Sequence, residues 1–171
     1  GDLSKEDLNF LLSDLNLARS ATIRKELISI LNINESIPKS FDKEDFNKLL
    51  INSLLSLGAR KKSYELIQNF DQVLNTEYNI YYIEFNLNYL LSIYDLSGAC
   101  EYRNEIINLN SNSTLSDNYF LKVDIFCLLL QEKFDEANLL NSLLDETTNG
   151  EDQYFQYLYN KLQNIEIDLE D

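Results

Sequence analysis

Cys100 and Cys127 are the residues whose type most directly suggests chemistry, because almost everything else a catalyst needs is missing from this chain. None of its 171 residues is histidine, which removes the commonest general base, the Ser-His and Cys-His nucleophile pairs and most transition-metal sites. Two cysteines alone cannot complete a zinc site. Acidic residues are abundant, yet no two stand out as a pair sharing a pocket, and with four glycines the chain has no glycine-rich phosphate loop. Asp145-Glu146-Thr147-Thr148-Asn149-Gly150, followed by Gln156, approximates a calcium loop with Asp first and Gly sixth. Thr at the third position and Gln at the twelfth lack the carboxylates calcium requires, so a plain turn is the better reading. No catalytic residue, cofactor site or metal site is expected, and the chemistry that remains is that of the two thiols.

Their placement depends on the elements that carry them. Cys100 falls near the start of a helix expected from about Ser97 to Asn108, and Cys127 near the end of the next, across a loop around Asn112. In an antiparallel pair the two residues lie at nearly the same level, within about one helical turn. They reach bonding distance if both face the seam between the helices. Two buried thiols in a reducing cytoplasm are the alternative. The chain opens Gly1-Asp2 and contains no methionine, which fits a removed leader or a tag scar. With a disulfide, that start points to an extracytoplasmic compartment such as a bacterial periplasm, with the cytoplasm as the alternative.

Composition says what kind of scaffold this is. Hydrophobic residues make up 44% and aromatics 12%, whereas there are only four glycines and one proline, too little punctuation for an all-β protein. An all-α fold is expected. Lys and Arg number 14 against 29 Asp and Glu, for a net charge of −15, so phosphate backbones are repelled and nucleic acid is not an expected partner. No apolar run approaches the roughly 18 to 20 residues that cross a bilayer, so no membrane insertion is expected.

Ser4 with Asp7 reads as a helix start of the capping-box type. The first helix would turn Leu8, Leu11, Leu12 and Leu15 inward, and the second Ala18, Ile23, Leu27, Ile30 and Leu31. Pro38 marks an irregular connection. A third helix starts near Asp42 and ends at Gly58, which has the position of a left-handed C′ residue. Aromatics crowd the stretch from Tyr78 to Tyr94, and an Asn/Ser-rich loop covers Asn108 to Ser113, with Thr114 or Ser116 capping the helix that follows. The tail from Ile165 to Asp171 alternates apolar and acidic residues.

The hairpins repeat. A shift of about 38 residues places Leu90 and Leu91 on Leu128 and Leu129, and Ala99 on Ala137; a shift of about 36 places Leu54 and Leu55 on Leu90 and Leu91. Phe134-Asp135-Glu136-Ala137, after an apolar helix ending Leu-Leu-Leu-Gln-Glu-Lys, resembles the turn and second helix of a tetratricopeptide repeat. Leu96 with Ala99 follows the same plan more loosely, and Ser63 keeps only the small residue. The resemblance spans Asp42 to Glu146 and departs from the family in having no Trp, no proline closing each repeat and a longer period. It implies a single α-α superhelix over residues 1–171, with about four stacked antiparallel hairpins (4–31, 42–75, 78–108, 116–146), a final helix over 150–164 and an acidic tail over 165–171.

The resemblance also implies a non-catalytic module that binds a protein or peptide, and the acidity suits a basic one. First helices line the concave face in that family, so Tyr81, Asn88 and Tyr89 are the candidate exposed members of a recognition surface. Two other readings stay open: a helical scaffold of a larger cell-envelope enzyme whose catalytic domain lies elsewhere, and a self-assembling structural solenoid.

Overall fold

In the computed structural model the described residues are 4–13, 15, 20–31, 37, 39, 41–70, 77–109, 118–150 and 152–163. Among them the chain is all-α, with no strand and nine helices: α1 (Lys5–Ser13), α2 (Ala21–Leu31), α3 (Lys43–Ser56), α4 (Arg60–Gln68), α5 (Asn79–Ser92), α6 (Leu96–Leu109), α7 (Asn118–Leu130), α8 (Phe134–Thr148) and α9 (Gln153–Leu162). Where the sequence suggests one domain, the contacts group into two compact units, Gly1–Tyr89 and Leu90–Asp171, divided within α5.

Local chemistry explains several helix ends. The Asp7 backbone N–H donates to the Ser4 hydroxyl at 3.1 Å, which makes Ser4 the cap, and that hydroxyl in turn donates to the Asp7 carboxylate at 2.8 Å, in place of the Ser4 backbone N–H that a capping box would use. Asp42 caps α3 by accepting from the Asp45 N–H at 2.8 Å. Asp95 and Asp152 do the same for α6 and α9, accepting from Gly98 at 3.0 Å and from Phe155 at 3.1 Å. A Cβ on Gly98 would stand 2.4 Å from the Asp95 carboxylate, so another residue there would make that side chain shift from its present position.

Three hairpin turns share one backbone design. Each places a residue in the left-handed region after the first helix: Gly58 at φ 78°, Tyr94 at 62° and Glu132 at 59°. The N–H of the next residue reaches back to the first helix, from Ala59 to Leu54, from Asp95 to Leu90 and from Lys133 to Leu128, at 2.8 to 3.0 Å. The left-handed residue itself donates to Leu55, Leu91 and Leu129 respectively. This double bond pattern is a Schellman motif. In the second helix Ser63, Ala99 and Ala137 occupy equivalent places and are fully buried, as are Ile51, Leu87 and Ile125 in the first. Small residues there let the paired helices approach closely.

In the first unit, Ile51 of α3, Ile67 of α4 and Tyr82 of α5 form a core with Leu55, Leu66, Phe70 and Phe85 around it. The helices α1 and α2 each lie against α3, and Lys5 ties α1 to α3 through Asp45. Leu15 is buried, but Leu11, Ile23 and Ile30, expected inward, are exposed. Helices this short, packing on α3, cover only part of their apolar stripe. In the second unit α7 packs against α6, α8 and α9. That arrangement accounts for its being apolar nearly all round, and Ile125, Leu129, Ala137, Leu144 and Tyr159 form its core. The Pro38 connection, the loop from Asn110 to Ser113, the caps at Thr114 and Ser116, and the acidic tail lie outside the described residues.

Candidate functional site

In the first unit α3 and α5 face each other with a run of polar and aromatic side chains. Asp45, Lys48 and Asn52 fall on one face of α3 by spacing, and each meets a tyrosine near the start of α5. The Tyr78 hydroxyl donates to Asp45 at 2.7 Å and the Tyr81 hydroxyl to Asn52 at 2.8 Å. Between them the Lys48 ammonium stands 3.6 Å from the centre of the Tyr78 ring and 5.8 Å from that of Tyr81, a cation–π arrangement. Lys5, and next the Tyr78 hydroxyl, hold the Asp45 carboxyl below its ordinary value. The bond to Asp45 pushes Tyr78 up to about 12.

The three candidate recognition residues fare differently. Asn88 is exposed, and Tyr81 is half-buried with its hydroxyl engaged. Tyr89 is only 8% exposed, so its expected place on an open surface is corrected. Its ring stacks on Tyr64 of α4 at 4.5 Å and faces Phe85 at 6.5 Å, so the aromatic area is used inside the unit. Tyr82 is buried too, with its edge toward Phe70 and Tyr81, and its hydroxyl has no hydrogen-bond partner among the described residues. Burial pushes its proton affinity up. Asn52 and Asn88 are among the residues left exposed on these helices, with the Tyr81 ring partly accessible.

In the second unit Cys100 of α6 and Cys127 of α7 form a disulfide, with Cα atoms 5.5 Å apart. One turn along each helix, Arg103 donates from Nε and one terminal nitrogen to both carboxylate oxygens of Asp124, each at 2.7 Å. Its guanidinium lies 4.9 Å from the centre of the Phe120 ring. The pairings 100 with 127 and 103 with 124 run in opposite directions along the two helices, so α6 and α7 are antiparallel. The sequence reading missed Arg103 and Asp124, although the level-counting used for the cysteines finds this pair too. Tyr64 and Cys100 each follow the small buried residue of their helix, and Tyr89 and Cys127 each precede the leucine that accepts the turn bond. The Tyr64–Tyr89 stack and the disulfide are thus equivalent positions in successive hairpins. A final polar link joins α8 to α9, where Asn141 and Gln156 exchange amide hydrogen bonds at 2.9 and 3.0 Å.

Asp145 to Thr148 are the last residues of α8, and Asn149 ends it at φ 52° while the Gly150 N–H returns to Asp145 at 3.1 Å. Four of the six calcium-loop positions are therefore helical, which excludes a calcium loop. Among the described residues no group of three or more Cys, Asp or Glu is placed to hold a metal ion, and no helix is long and apolar enough to cross a membrane.

Charge divides unevenly between the units. Leu90–Asp171 holds 16 of the 29 acidic residues but only 4 of the 14 basic ones. Two of those four, Arg103 and Lys122, are engaged by Asp124 and Asp152. No family model, curated protein or solved structure matches the chain.

Proposed function

We propose that the chain is a non-catalytic interaction module built on a tetratricopeptide-like solenoid, and that it holds a protein or peptide partner of basic character. The observation that carries this reading is the hairpin turn made three times with the same bonds, each with a small buried residue five positions after the left-handed one. Hairpins built to one plan stack, and stacked hairpins present extended surfaces suited to a peptide. The open polar strip of Asn52, Tyr81 and Asn88 offers adaptable hydrogen bonding beside an aromatic ring, a combination common in binding surfaces. The disulfide supports an extracytoplasmic location, where such bonds persist.

Panning a random peptide display against the immobilised, non-reduced protein tests the reading. Enrichment of Lys- and Arg-rich sequences is expected, and those sequences should bind better than scrambled peptides of the same composition. Replacing Asn52 and Asn88 by alanine, both exposed, should weaken the selected peptides while circular dichroism still shows a folded protein, with a small loss of stability from the Tyr81 hydroxyl that Asn52 no longer accepts. If no sequence outcompetes its scrambled counterpart, the module reading fails, because charge alone would then explain any retention.

A further inference from the structure

We propose that the outward face of α8 is a docking surface for a basic amphipathic helix on a partner protein, an inference that rests on the interaction reading and assigns it a place. α8 buries Ala137 and Leu144 completely. Its opposite side carries Leu139, 73% exposed, and Leu143, 46% exposed. Four residues apart on a helix, these leucines stack into one ridge. Asp135 and Glu136 lie a turn before the ridge and Glu146 a turn after it, all exposed. A lone exposed leucine is ordinary. Two stacked leucines closed at both ends by carboxylates form a stripe that complements a helix with apolar residues at i and i+4 and Lys or Arg on either side.

Charge selects among the occupants. The unit that carries α8 has 16 acidic residues against 4 basic ones, with Arg103 and Lys122 already engaged. Such a surface steers a cationic helix toward the ridge and repels a second copy of itself.

The test uses the purified chain with its disulfide intact. The probe is a labelled synthetic helix with leucines at i and i+4 and lysines beside them, and the control peptide carries glutamate at each lysine position. Fluorescence anisotropy is expected to show binding of the basic peptide only. Leu139→Ser with Leu143→Ser should weaken it by about tenfold or more, the scale of losing a central apolar anchor. Asp135→Asn, Glu136→Gln and Glu146→Gln together should weaken it and flatten its salt dependence. Because these side chains face solvent, circular dichroism melting should stay unchanged in both variants. Equal binding of the two peptides, no binding of the basic one, or full binding by the leucine variant overturns the proposal. If the Asn52 and Asn88 substitutions abolish binding while the leucine variant keeps it, the α8 site falls and the interaction reading stands. Sedimentation showing a dimer that the leucine substitutions dissolve would make a second copy the occupant and overturn the proposal as well.

Discussion

Reducing the bond between Cys100 and Cys127 perturbs the second unit at one defined place. The bond spans a sequence separation of 27, and the loop-closure entropy of a span that size corresponds to about 3.5 kcal/mol of stability. With a urea dependence of about 2 kcal/mol per molar for a chain of this size, the unfolding midpoint should fall by about 1.5 to 2 M on reduction. The fold itself should persist at zero denaturant. Arg103 and Asp124 still join α6 to α7 one turn away, so far-ultraviolet circular dichroism should hardly change. Hydrogen exchange read by mass spectrometry should quicken in peptides from α6 and α7 and stay constant in α3 and α4, which belong to the other unit. Cys100→Ala with Cys127→Ala should reproduce the reduced midpoint. The reasoning is refuted if reduction leaves the midpoint where it was, or if protein prepared under oxidising conditions and then denatured reacts as two free thiols.

Asp124→Ala should cost about 3 to 5 kcal/mol in chemical denaturation, because it strands a guanidinium that is buried, whereas Arg103→Met with Asp124→Leu should cost far less. Gly58→Ala should destabilise by about 1 kcal/mol and Glu132→Gly should stabilise by a similar amount, since both positions are left-handed and only glycine takes that conformation without strain; thermal melts of the two variants check the opposite signs. In an alkaline absorbance titration, Tyr78 should ionise near pH 12 rather than at the ordinary 10.0, and Asp45→Asn should bring it back down. Because the folded value is the raised one, the stability this bond contributes is complete below pH 10.0 and is lost as pH climbs through about 12.

Features set by one residue's own chemistry could be read from the sequence. Ser4, Asp42 and Gly58 each announce a helix end because the side chain, or its absence, satisfies the backbone directly. Tyr94 and Glu132 hold the same left-handed place as Gly58 and give no sign of it, since backbone hydrogen bonds rather than the residue's own side chain hold the conformation there. The aromatics of α5 are spread around the helix, and the sequence does not say which sectors a neighbour covers. The family resemblance puts Tyr89 on an open surface, whereas in the structure its ring is covered by Tyr64. The opposite error affected Leu11, Ile23 and Ile30, whose apolar character suggested burial that short helices do not supply. The cysteine pairing was legible because antiparallel level is a matter of counting, and the ridge on α8 was not, because leucines at helical spacing look the same whether they face the core or solvent.

The shared turn also governs how such a chain can change length. From Ile51 to Gly58, Leu87 to Tyr94 and Ile125 to Glu132 the count never varies, and neither does the count onward to Ser63, Ala99 and Ala137. The residues by which successive hairpins differ in length all fall after Ser63 and Ala99, where the second helix itself varies from nine residues in α4 to 14 in α6. The turn is thus the constant part of each hairpin, and variation in length begins only beyond the small buried residue. Glycine, tyrosine and glutamate all serve at the left-handed position, so the joint is kept by its backbone bonds rather than by any one side chain.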